Sequence, residues 1–189
     1  MTPTTAAQHL FIVTGSSRGL GAALVAQLLQ PGHTVLGLAR RQNDTLQAQA
    51  TAAGAALIQW PVDLAEPLAP AERLAGWLAG FDGTTITSAT LINNAGLLST
   101  PAALTLVPLL ELSQTMRAGL EAALLLTASF LAATATWPGA RRVLNISSGL
   151  GRRAVALEEA ALPNGARIVS MAPGVIDTDM QAQLRGQSR

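Results

Sequence analysis

Leu10-Phe11-Ile12-Val13-Thr14-Gly15-Ser16-Ser17-Arg18-Gly19-Leu20-Gly21 is the stretch that decides how this chain folds. An apolar run leads into Thr14, and a helical pattern follows from Leu20 to Leu29. Between them Gly15, Gly19 and Gly21 have the spacing Gly-x3-Gly-x-Gly. One glycine permits a tight turn out of a strand, one lets the backbone approach phosphates, and one lets the helix pack close on the sheet. The free N–H groups and positive dipole end of the helix then receive a pyrophosphate. A lone glycine cluster says little. With a strand before it and a helix after it, the turn marks Gly15, Ser17, Arg18, Gly19, Leu20 and Gly21 as a dinucleotide-binding stretch.

Outward from this turn, strand-like runs alternate with helix-like runs. The strands read as Leu10 to Thr14, Thr34 to Ala39, Ala56 to Val62, Thr90 to Asn94, Arg142 to Ser147 and Arg167 to Met171. Each is short and almost wholly apolar, as a parallel strand covered on both faces should be. Helical patterns lie at Leu20 to Leu29, Asp44 to Ala53, Ala69 to Trp77 and Leu112 to Thr134. Pro31-Gly32 ends the first of them. The alternation predicts right-handed crossovers and an α/β fold with a doubly wound parallel sheet of Rossmann type. The expected strand order, 3-2-1-4-5-6, puts the ligand at the carboxyl ends of the strands, beside the switch between strands 1 and 4.

Composition narrows the function classes. Hydrophobic residues make up 49% and charged residues 12% of the 189. That excludes a disordered chain and gives one domain, 1–189, room for a well-buried core. A formal net charge of +1 makes no electrostatic case for nucleic acid. Without cysteine there are no disulfides, thiol chemistry or thiolate metal sites. His9 and His33 read as surface histidines without metal-like partners, so no metal is expected. Met1 to Gln8 is short and polar, with no signal pattern. The uncharged stretch Ala122 to Pro138 is too short and threonine-rich for a membrane span. A cytoplasmic protein without membrane or nucleic-acid partners is expected. The long helix 112–134 is either a core helix or a subunit contact, the latter implying a homo-oligomer.

Several further motifs stand in order: Asp63-Leu64, Asn93-Asn94-Ala95-Gly96, Asn145-Ile146-Ser147-Ser148-Gly149, and Pro173-Gly174-Val175-Ile176-Asp177-Thr178. With the glycine turn, these make the chain resemble the short-chain dehydrogenase/reductase family from residue 10 to about residue 150 and from Val155 to Met180. The ending Ala172 to Gln181 resembles its sepiapterin reductase and benzil reductase branch. The resemblance implies that Asp63 and Leu64 hold the adenine edge. Asn93, Ala95 and Gly96 would line the adenosine ribose and brace the central sheet. Pro173, Gly174 and Val175 would border the nicotinamide, with Thr178 bonding the cofactor's phosphate or carboxamide region.

The choice of dinucleotide follows from charge. A bare 2′-hydroxyl usually meets an acidic residue at the end of strand 2, whereas a 2′-phosphate meets arginine. Strand 2 ends Leu38-Ala39-Arg40-Arg41, with no acid until Asp44, and Arg18 sits in the glycine turn. Guanidinium groups bind phosphate by charge-assisted, bidentate hydrogen bonds. Arg18, Arg40 and Arg41 therefore favour NADP (NADPH), with Arg18 and Arg40 the stronger candidates.

The resemblance further implies hydride transfer between the nicotinamide and a small carbonyl or alcohol substrate. A tyrosine would act as general acid or base, a lysine would lower its pKa, and a serine would orient the substrate oxygen. Ser148 matches the serine. The other two have no counterpart: the chain has no tyrosine, and all 12 of its basic residues are arginine. Gly149 to Arg153 runs straight into Ala154 to Glu159, where the family carries the tyrosine and lysine between two such stretches. Roughly twenty residues are unaccounted for, about a loop plus the first turns of a crossover helix. A family asparagine in the long helix falls at Gly119. The family also continues past strand 6, so the sheet is expected to stop there, on an apolar edge. Two readings stay open. Segments of a longer reductase are omitted, with a chain break between Arg152 and Ala156. Or the chain is an inactive NADP-binding relative, or a fragment, with a sensing or scaffolding role.

Overall fold

The computed structural model describes residues 8–100, 102, 104–146 and 167–171. Its strands are β1 (Gln8–Thr14), β2 (His33–Ala39), β3 (Ala56–Pro61), β4 (Ile86–Asn93), β5 (Ala140–Ile146) and β6 (Arg167–Met171). All pair in parallel, in the order β3-β2-β1-β4-β5-β6. The expected doubly wound order is therefore present, with the reversal at β1, between β2 and β4.

The apolar runs become strands because both faces of the sheet are covered. Leu10 and Ile12 of β1 join Leu36 and Leu38 of β2 and Leu91 of β4 in one core. Val13, Val35 and Ile92 join the opposite core. Successive side chains alternate between faces, so a strand feeding two cores has few polar positions to spare. Helices α1 (Gly19–Leu28) and α2 (Asp44–Ala53) close the second core through Val25, Leu46 and Ala50. Helix α3 (Leu68–Leu78) closes the first core through Ala71, Leu74 and Leu78. Burying each such leucine or valine stabilises the fold by about 1.5–3 kcal/mol before conformational entropy is set against it.

The long helix departs from expectation. It starts at Leu109 rather than Leu112 and is broken into α4 (Leu109–Met116), a π-helical turn (Arg117–Glu121) and α5 (Ala122–Ala133). The Ala122 N–H bonds to the Arg117 carbonyl, five residues back. Gly119, a weak helix former, lies inside that turn. By length and composition alone, Leu109–Ala133 is long and apolar enough to cross a membrane. One face nevertheless packs in the core: Ala118, Ala122, Leu126 and Phe130 meet the α3 side of the sheet. Its other face leaves Leu109, Met116, Leu120 and Leu124 exposed.

At the far end of the described sheet, β6 pairs only with β5, and Val169 and Met171 are 55% and 44% exposed. The histidines also differ from expectation. His9 and His33 face each other across β1 and β2 with ring centroids 5.3 Å apart, each half-buried. His33 Nδ1 donates to the Leu28 carbonyl at 2.8 Å, and His9 Nδ1 lies 2.8 Å from Ser88 Oγ. Among the described residues, no group of three or more metal-type ligands converges.

Candidate dinucleotide site

The site forms where β1 ends, between β2 and β4. Gly15 leaves the strand with φ +68°, a left-handed value that glycine adopts without penalty. Its N–H donates to the Leu38 carbonyl at 2.8 Å, which pins the turn to the end of β2. Gly21 lies so close beneath the turn that a Cβ there would sit 2.1 Å from the Gly15 carbonyl oxygen. Ser16 is buried, and Gly37 of β2 makes room for it, since a Cβ at Gly37 would lie 2.6 Å from Ser16 Oγ.

A threonine and an asparagine lock this turn to the loop after β4. Thr14 Oγ1 accepts from the backbone N–H groups of Asn94 and Ala95, both at 2.9 Å, and donates to the Ile92 carbonyl at 3.4 Å. Asn94 Nδ2 donates to the Thr14 carbonyl at 3.0 Å and to the Gly15 carbonyl at 3.5 Å. Thr14 and Asn94 stand in two of the motifs read from the sequence, but the bonds between them do not show there, because they span about eighty positions of chain, from β1 to the end of β4.

Asn93 braces the sheet itself. Its Nδ2 donates to Asn145 Oδ1 at 2.8 Å on β5 and to Thr127 Oγ1 at 3.1 Å on α5. Its Oδ1 is buried without a hydrogen-bond partner. Gly96 is exposed, and a Cβ there would meet nothing within 4 Å. Asp63 follows β3 with its carboxylate turned back on its own loop, accepting from Ala65 N at 2.9 Å, while Leu64 is buried beside it. Arg18 is exposed at the N-cap of α1, and Arg40 and Arg41 are exposed where β2 ends. Ser148, Pro173, Gly174, Val175, Thr178 and the join at 152–156 lie outside the described residues.

The start of α1 has the chemistry a diphosphate needs. No side chain caps it, and no acidic residue occupies its first turn. The start of α2 is built the other way: Asn43 Oδ1 accepts from Leu46 N at 3.1 Å, and Asp44 opens the helix. The first N–H groups of a helix need partners outside it, and its dipole favours an anion there. With the glycine cradle in front, the uncapped end of α1 fits the pyrophosphate of a dinucleotide.

Known proteins agree with this geometry. The short chain dehydrogenase family profile matches residues 9–160. A benzil reductase ((S)-benzoin forming) from Bacillus cereus is 31% identical over 194 residues, spanning 92% of this chain and 78% of its own length. A sepiapterin reductase from Bos taurus is 31% identical over 207 residues, spanning 95% of this chain and 77% of its own. The NADP-bound structure of a candidate 2-deoxy-D-gluconate 3-dehydrogenase from Agrobacterium tumefaciens superposes with a TM-score of 0.76 at 25% identity, over 99% of this chain and 79% of that one. The match from residue 9 to 160 takes in β1 to β5 and the glycine turn between β1 and α1, so the chain belongs to the short chain dehydrogenase family.

Proposed function

We propose that this protein is an NADP-dependent oxidoreductase whose hydride acceptor is a small carbonyl compound. The observation that carries the cofactor assignment is the uncapped, acid-free start of α1 behind a glycine cradle, flanked by arginines instead of a carboxylate at the end of β2. Gly15, Ser17, Gly19, Leu20 and Gly21 would hold the pyrophosphate, and Arg18, Arg40 and Arg41 the 2′-phosphate. Asp63 and Leu64 would border the adenine, and Asn93, Ala95 and Gly96 the ribose side of the cleft. Pro173, Gly174, Val175 and Thr178 would meet the nicotinamide end, and Ser148 would orient the substrate oxygen. When bound, NADPH supplies the hydride. The carbonyl class draws support from the benzil and sepiapterin reductases among the relatives. A cytoplasmic location and a homo-oligomer complete the reading. The exposed apolar face at Met116, Leu120 and Leu124 supports self-association through the long helix.

A second reading is favoured by one observation: the 189 residues contain no tyrosine and no lysine. Serine has no pKa near that of an activated phenol, so Ser148 alone cannot supply the proton the alkoxide needs. Protein whose intact mass is 19.4 kDa is therefore expected to bind NADPH and reduce no diketone. Dinucleotide-dependent reduction by protein of that verified mass contradicts the second reading. A larger intact mass with activity supports the first.

The arginine assignment has its own test. Arg40→Asp removes a charge-assisted pair and adds repulsion, and should weaken NADPH binding by about 1–3 kcal/mol. NADH should lose much less. Equal losses for both coenzymes in a fluorescence titration would count against Arg40 as a 2′-phosphate ligand.

A further inference from the structure

The turn after β2 is not simply exposed chain. Asn43, half-buried, uses every polar group it has. Its Oδ1 caps α2 at Leu46 N, and its Nδ2 donates to the Ser17 carbonyl in the glycine turn at 2.9 Å. Its backbone N–H donates to Gln59 Oε1 at 2.8 Å, and its carbonyl accepts from Gln59 Nε2 at 3.1 Å. Gln42 Nε2 adds a bond to the Gln59 carbonyl at 3.3 Å. Three segments therefore meet on one residue: its side chain holds the glycine turn and the start of α2, and its backbone is held by Gln59 of β3.

We infer that Asn43 is a positioning residue for dinucleotide selectivity, tying the turn that carries Arg40 to the turn that carries Arg18. The inference rests on the NADP reading above and deepens it. Arg18 follows Ser17 directly, and Arg40 lies three positions before Asn43. A hydrogen-bonded strut between the turns keeps the roots of both arginines in place before an anion arrives, so less order must be gained on binding. The residue type fits this task. A side-chain amide accepts at the helix cap with its oxygen and donates across to a carbonyl with its nitrogen, two atoms that reach in different directions. Aspartate would cap α2 equally well, but it cannot donate to Ser17 and would set a negative charge beside the phosphate site. Gln59 completes the strut from β3 without adding charge.

Asn43→Ser separates the strut from the cap. The serine hydroxyl still caps α2, so the melting temperature should stay near that of the parent. It is too short to reach Ser17. NADPH and NADH are titrated into the parent and the variant, following nicotinamide fluorescence. The ratio of NADPH to NADH affinity should fall about three- to tenfold in the variant, the effect of one lost ordering hydrogen bond. Gln59→Leu, which breaks the strut from the other side, should lower the same ratio and serves if Asn43→Ser does not fold. An unchanged ratio in folded variants, including equal losses of both coenzymes, overturns the role for Asn43. A parent that does not prefer NADPH overturns the NADP reading itself, and this shows in the parent titration before any variant is measured.

Discussion

Gly21→Ala is expected to abolish NADPH binding and to destabilise the fold by about 3 kcal/mol, the upper range for overpacking. The new Cβ would lie 2.1 Å from the Gly15 oxygen and 2.8 Å from the Gly15 carbonyl carbon. Neither is a flexible side-chain end that could swing aside. The turn or the helix must move, and either movement takes the α1 N–H groups away from where phosphates would sit. A loss of that size should lower the melting temperature by roughly 6–12 °C in a domain of this length. Gly76→Ala is the control. It lies in α3 with nothing within 4 Å of the added Cβ, and should be neutral or slightly stabilising. A Gly21→Ala protein that melts with the parent and still binds NADPH would show that α1 does not need to approach the turn this closely.

Thr14→Val should cost about 2–5 kcal/mol, because two backbone N–H groups lose their acceptor together. The Thr14 side chain is almost fully buried, and its hydroxyl serves Asn94 and Ala95 while donating to Ile92. Valine has the same shape and none of that capacity. The loss falls where β1 meets the end of β4, so the cleft should loosen along with the fold and NADPH affinity should drop. Thr14→Ser keeps the hydroxyl and should retain most of the stability. Urea unfolding measures the difference. A Thr14→Val change within about 0.5 kcal/mol of the parent, the usual range for an inconsequential surface substitution, would mean that Asn94 and Ala95 find other partners.

The sheet was legible because its strands feed two cores and so read as unbroken apolar runs. β1, β2 and β3 follow those runs closely. β4 begins at Ile86, four residues before the expected start at Thr90, which was hidden because Thr87 and Ser88 interrupt the apolar run although Ser88 is buried. Ser88 finds a partner in His9, a contact no periodicity displays. The glycine turn was legible from spacing, and its physical demand appears in the Gly15–Gly21 approach. The bonds that hold the turn were not legible. Thr14 and Asn94 stand in the motifs, and Asn43 and Gln59 outside them, but all four act across chain distances that a local pattern does not span. The π-helical turn around Gly119 was also missed, since a five-residue hydrogen bond leaves the apolar stripe of the helix almost unchanged.

Isothermal titration of the folded protein with NADPH, and separately with NADH, tests most directly whether this is an NADP site. The arginine-flanked, uncapped start of α1 predicts saturable binding of one NADPH per chain, tighter than NADH. Absence of NADPH binding by folded protein, or equal affinity for the two coenzymes, would contradict it.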